Sequence, residues 1–136
     1  MEIERVTCVG AGLIGHSWAT LFAWKGYKVI LQDIDRAALE YALVSIRRNL
    51  DFLAEKSLLK DETPEEILQK IEVTTNLDNA VKKADYIQES VPEKYEIKKK
   101  IFKRIDSLTQ PQTIIASSTS TLKMTEIQKV TENPER

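Results

Sequence analysis

The stretch "CVGAGLIGHSWA", Cys8 to Ala19, spaces three glycines as G-x-G-x-x-G and runs at once into a segment of helical character. The residues on either side decide its reading. Ile3, Val6, Cys8 and Val9 form a short, mostly apolar run that stops where the glycines begin, the pattern of a buried parallel strand. Beyond the glycines, Leu13, Trp18, Leu21, Phe22 and Trp24 recur at spacings near three and four, which predicts one apolar face on a helix running to about Lys25. Gly26 closes that helix, and Tyr27-Lys28-Val29-Ile30-Leu31 reads as a second strand. Asp33 follows 18 residues after Gly15 and 23 after Gly10, where a dinucleotide-binding βαβ unit carries the acid that accepts the adenosine ribose hydroxyls.

Each glycine has a physical task in this reading. Gly10 permits the tight turn, Gly12 lets backbone approach a pyrophosphate with no Cβ in the way, and Gly15 allows close helix–strand packing. The free N–H groups and the dipole at the start of the helix favour an anion. Asp33 suits the two ribose hydroxyls of NAD and would repel the 2′-phosphate of NADP. Arg36 is the only nearby cation and stands beside Asp35, so NAD is the expected cofactor; FAD shares the fingerprint on the motif alone.

The chain has 136 residues, 42% hydrophobic and 30% charged, enough for one globular domain with a core of its own. Twenty basic and 21 acidic side chains leave a net charge of −1, so no overall field draws the chain to nucleic acid or to an anionic membrane. Lys98-Lys99-Lys100 is the one basic cluster, a run that reads on its own as a solvated helix face. Cys8 is the single cysteine and sits in an apolar strand as a small core residue, which points to a reducing, cytoplasmic setting. No membrane span, secretory leader or metal-binding residue is expected.

Farther along, Asp35 is placed to cap a long helix with the apolar stripe Leu39, Ala42, Leu43, Ile46, Leu50 and Leu53. "TPEEILQKI" then sets Thr63, Pro64 and Glu66 as a capping box for a short helix. Two helices in succession interrupt the βαβ rhythm, so the segment 35–70 is expected as an insertion projecting from the core. Strands follow at 71–75, 86–91 and 113–116, with a helix expected from Pro92 and another after the hydroxyl-rich "SSTSTLKMTEIQKV". The alternation predicts an α/β, doubly wound Rossmann sheet, all parallel, of order 3-2-1-4-5 with a helix pair inserted after strand 2. The turn after Val9, Asp33, the segment 89–93 and the loop 117–121 all fall on the carboxyl edge of that sheet, where such folds bind ligands.

"VGAGLIGHSWA", the strand ending "LQDID", "ADYIQESVPEKYEIKKKIFKRID" and "TIIASSTSTLKMTEI" together resemble the N-terminal domain of the L-3-hydroxyacyl-CoA dehydrogenase superfamily, over essentially the whole chain. That superfamily transfers a hydride between NAD and the 3-hydroxyl carbon of an acyl-CoA. Its gulonate dehydrogenase, λ-crystallin and carnitine dehydrogenase branches act on free hydroxy acids. The resemblance implies pyrophosphate contacts at Gly10, Gly12 and Gly15, and the adenosine ribose at Asp33. It implies further cofactor contacts at Leu13, Ile14 and Val91, a nicotinamide half near Glu93 and Lys98, and a bond from Ser120 to the reacting oxygen. Acyl-CoA members usually carry asparagine where this chain has Ser118, and "SSTS" resembles the free hydroxy-acid branch.

The family's base is a histidine in an H-x-F-N-P-like stretch, oriented by a downstream glutamate, and neither motif occurs in this sequence. A base near neutral pKa is what hydroxyl proton removal requires. His16 is the single histidine, but it stands in the first turn after the glycines, where the helix dipole disfavours its protonation. The expectation is therefore a cofactor domain at 1–136 that lacks a C-terminal helical substrate and dimerisation domain and is inactive by itself. Its fifth strand would be an open edge with Ile114 and Ile115 poorly covered, pairing with a partner chain, a second copy included. A small hydroxyacyl substrate would bind in the full-length protein. A stand-alone NAD-binding module and a crystallin-type structural protein are the competing readings from other classes.

Overall fold

The computed structural model describes residues 2–136. The elements alternate: β1 (Arg5–Val9), α1 (Leu13–Trp24), β2 (Lys28–Gln32), α2 (Arg36–Glu55), α3 (Pro64–Leu68), β3 (Ile71–Thr74), α4 (Leu77–Val81), β4 (Tyr86–Glu89), α5 (Tyr95–Leu108), β5 (Ile114–Ser117) and α6 (Met124–Ile127). The five strands form one sheet of order β3-β2-β1-β4-β5, and every pair is parallel. Val9 lies opposite both Gln32 and Glu89, and Glu89 opposite Ser117, so the carboxyl ends of the central strands align at one edge.

Strand alternation divides the core into two layers. Val6, Cys8, Val29 and Leu31 pack with α1, α2 and α3 on one side; Val9, Ile87, Ala80, Val81 and Ile105 pack with α4 and α5 on the other. Cys8 is fully buried, and burial pushes its thiol up to about 12. Among the described residues no helix is long and apolar enough to cross a membrane.

Three local expectations need correction. The buried face of α1 is Gly15, His16, Ala19, Thr20 and Ala23, whereas Leu13 is 73% and Leu21 37% exposed. Close approach to the sheet selects small side chains, and Trp18, Phe22 and Trp24 pack only in part, around the helix flank. The helix pair after β2 does not project: Leu39, Ala42, Ile46, Leu50 and Ile67 belong to the main core layer beneath α1. Its caps are as expected, with Asp35 accepting from the Ala37 N–H and Thr63 exchanging bonds with Glu66. Finally, α5 starts at Tyr95 instead of Pro92, because residues 92–94 make a turn closed by the Lys94 N–H on the Pro92 carbonyl.

The β5 edge is also less open than its sequence implies. Ile114 is 39% exposed, but Ile115 packs against the second core layer and its N–H donates to the Arg136 carbonyl at 2.9 Å. The Arg136 guanidinium reaches Asp106 at 2.6 Å inside the protein, and Asp106 accepts further bonds from the Glu132 N–H and Asn133. These bonds hold the Asp106 carboxyl below the usual range despite its burial.

Candidate cofactor site

Backbone builds the first half of the site. Gly10 adopts φ +100°, and its N–H donates to the Gln32 carbonyl at 2.7 Å, tying the turn to β2. A Cβ at Gly10 would stand 2.7 Å from the Ser90 carbonyl oxygen, and one at Gly15 would overlap the carbonyl oxygen of Gly10 itself. Neither position accepts a side chain. A Cβ at Gly12 would meet nothing within 4 Å; it would occupy the open space in front of the helix, where a ligand would sit. Gly12 is also the N-cap of α1 and supplies no side-chain bond, so the first-turn N–H groups at Leu13, Ile14 and Gly15 have no capping side chain.

Asp33 fixes the opposite rim. One carboxylate oxygen accepts the Ala11 N–H at 2.8 Å and the other the Asp35 N–H at 2.9 Å. Each oxygen keeps a lone pair for a hydroxyl. Arg36 turns toward Glu40 at 3.6 Å and is not paired with Asp33. Between the rims lies a cleft of about 600 Å³ with Gly10, Gly12, Asp33 and Val91 in its wall and Ile34, Leu77, Ile97 and Ile101 as apolar surface. That shape and donor set fit a dinucleotide: N–H groups for a diphosphate, a carboxylate for a ribose and an apolar slot for a base.

Side chains build the second half. Lys98, on α5, is 1% exposed and donates to Glu89 at 2.7 Å and to the Val91 carbonyl at 3.1 Å; Glu93 lies 3.4 Å away on its other side. It is no part of a solvated lysine face. Glu93 is freed from the helix by the turn at 92–94 and crosses to the loop after β5, accepting from the hydroxyls of Thr119 and Thr121 and from the Leu122 N–H. The Thr119 bond and the nearby Lys98 ammonium hold the Glu93 carboxyl down at about 2, against a partial loss of solvent. Glu93 is therefore a bridge between two loops and not a first-turn dipole partner.

Ser120 is exposed in that same loop, and its hydroxyl makes no hydrogen bond among the described residues. It does not cap α6, whose N-cap is Lys123. Ser118 is held by Gln88 at 2.9 Å and Ser90 at 2.7 Å, with Tyr86 bonding Gln88 behind it. His16 is buried at the base of α1, its Nδ1 3.4 Å from the Ala11 carbonyl, beside a separate cleft between α1 and α2. Sequence reasoning assigned no role to Glu89, which is fully buried and bonds Lys98, the Val91 N–H and Ser117. The available signal was a carboxylate at an inward strand position, nine residues before a lysine.

A parallel doubly wound sheet with a glycine turn, an uncapped helix start and an acid at the end of β2 defines a dinucleotide-binding domain of the Rossmann class. The profile of the family described as "3-hydroxyacyl-CoA dehydrogenase, NAD binding domain" matches residues 5–136, and the chain belongs to that family. Its relatives include the human lambda-crystallin homolog, 44% identical over 118 residues that make up 86% of this chain and 37% of that protein. They also include the L-carnitine dehydrogenase of Staphylococcus epidermidis, 37% identical over 97% of this chain and 40% of that one. Among solved structures, the 3-hydroxybutyryl-CoA dehydrogenase of Escherichia coli superposes with a TM-score of 0.92 at 30% identity, over 99% of this chain and 28% of that chain. The chain thus spans about two fifths of the length of these curated relatives. NAD is the cofactor of the domain family, which includes the two dehydrogenases named above.

Proposed function

We propose that this chain is the cofactor half of an NAD-dependent dehydrogenase acting at the 3-hydroxyl carbon of an L-3-hydroxyacyl-CoA. NAD bound here would supply the hydride acceptor. Gly10, Gly12 and the first-turn N–H groups at Leu13, Ile14 and Gly15 would hold its diphosphate. Asp33 would hold the adenosine ribose, and Val91, Glu93 and Lys98 would border the nicotinamide half. Ser120, with its hydroxyl unengaged, would donate to the substrate oxygen. The observation that carries the reading is Asp33, pinned by two backbone N–H groups at the mouth of the cleft with both oxygens still able to accept.

The base that removes the hydroxyl proton is not His16, which is buried under the glycine turn. The domain alone would bind cofactor without turnover, and base, substrate grip and homo-oligomer contacts would come from a C-terminal domain. A free hydroxy acid in place of the CoA thioester is the second reading. Ser118 favours it, closed into a compact network with Gln88 and Ser90, as does the kinship with an L-carnitine dehydrogenase. Titration with NADH and NADPH, followed by quenching of Trp18 and Trp24, tests the cofactor assignment: NADH-selective binding is expected, and equal or absent binding overturns it.

A further inference from the structure

The inward end of the Glu93 bridge has a property of its own. Glu89 is fully buried at the last position of β4, and one of its oxygens accepts both the Lys98 ammonium and the Val91 N–H, each at 2.7 Å. The other accepts the hydroxyl of Ser117, its register partner on β5. One carboxylate therefore fixes the lysine of α5, the chain leaving β4 and the chain leaving β5. Lys98 in turn faces Glu93, the half-exposed end of the cluster.

An ion pair taken out of water is costly, and a hydrophobic pair in its place often holds a fold as well or better. Charge is what such a replacement would lose. Glu89 and Glu93 against Lys98 amount to two negative charges and one positive within a single bonded group, an excess of one negative charge at the carboxyl edge of the sheet. Screening by water is weak there, since Glu89 and Lys98 are both excluded from solvent.

We propose that Glu89 is a positioning residue that pins Lys98 and, through the excess negative charge it creates, biases the site toward the oxidised cofactor. This rests on the reading above that the nicotinamide half lies at Glu93 and Lys98. The oxidised nicotinamide ring carries a positive charge that the reduced ring lacks, so one negative charge behind the site discriminates between two otherwise equal-sized ligands. Without Glu89, Lys98 neutralises Glu93 and the bias vanishes.

Calorimetric titration of the 136-residue chain, Glu89→Gln and Glu89→Asp with NAD⁺ and with NADH tests this. Glu89→Gln keeps the shape and removes the charge, and should weaken NAD⁺ relative to NADH by roughly tenfold, the effect of one charge over about 10 Å at an effective dielectric near 20. Glu89→Asp keeps the charge and should leave the ratio of the two affinities unchanged even where both fall. A Glu89→Gln chain in which both affinities fall by one common factor, or neither falls, overturns the inference and leaves the cofactor reading standing. An unaltered chain that binds neither form overturns both. On the unaltered chain alone, ¹⁵N-labelled lysine should give one slowly exchanging ammonium signal for Lys98; its absence removes the ion pair on which the charge count depends.

Discussion

The two ends of the crevice are made from different materials. Around Gly10–Gly15 the contact surface is main chain: a positive φ, a turn N–H on Gln32, a helix start without a capping side chain, and one carboxylate held by two amides. Around Glu89–Leu122 it is side chains, with carboxylates and hydroxyls linking residues up to 29 apart in sequence. The first end is held by backbone packed so closely that Gly10 and Gly15 leave no room for a Cβ; the second is rigid only while its charges and hydroxyls stay paired. A backbone-built end should fail abruptly under substitution, and a side-chain-built end by degrees.

The largest effect is expected from Gly15→Ala. Its new methyl overlaps the Gly10 carbonyl, which cannot move away without opening the turn. A loss of about 3 kcal/mol, near 10 °C in melting temperature, should accompany loss of NADH binding. Calorimetric melting together with titration checks both halves of that expectation. If Gly15→Ala instead bound NADH normally, the contrast between the two ends would break.

Asp33→Ala comes next. It removes charged acceptors from the ligand and releases the Ala11 and Asp35 amides. NADH affinity should fall roughly a hundredfold, and the preference over NADPH should shrink, measured by parallel titrations. Unchanged affinity for both cofactors would remove Asp33 from the ribose.

The side-chain end should respond more gently. Thr119→Val deletes one of the three donors that the loop after β5 gives Glu93 and should lower the denaturant midpoint only slightly, with the Glu93 carboxyl rising from about 2 toward its ordinary value. The smallest effect is that of pH. Because the folded state depresses the Glu93 carboxyl, its bridge is complete above the ordinary carboxylate range and is lost as pH falls through about 2. The ¹³C shift of the Glu93 carboxylate and the amide signal of Leu122 should therefore change together as pH falls through about 2. Independent titration of the two would mean that the bridge is not one unit.

The same contrast explains what could be read in advance. Strand order and the glycine turn depend on local spacing, and the order β3-β2-β1-β4-β5 follows from alternation and right-handed crossovers. The lysine run misled because three adjacent residues point in three directions around a helix, and burial of Lys98 is decided by Glu89 on another element. The apolar face of α1 misled because helix–sheet distance, which no periodicity encodes, demanded alanine and glycine where leucine and tryptophan gave the stronger hydrophobic signal. Pro92 is a common first helical residue, yet here the Val91 N–H is taken by Glu89 and the chain turns once more before α5 begins.

Cys8 lies on β1, the central strand, with no surface open to solvent and its thiol pushed up to about 12. A thiol reagent offered to the folded chain finds nothing to attack, and the central strand is the last part of the sheet to be uncovered by fraying. The rate of Cys8 labelling is thus a clock for opening of the whole molecule, read at a single atom, and any ligand that binds the folded form slows it by its own binding factor.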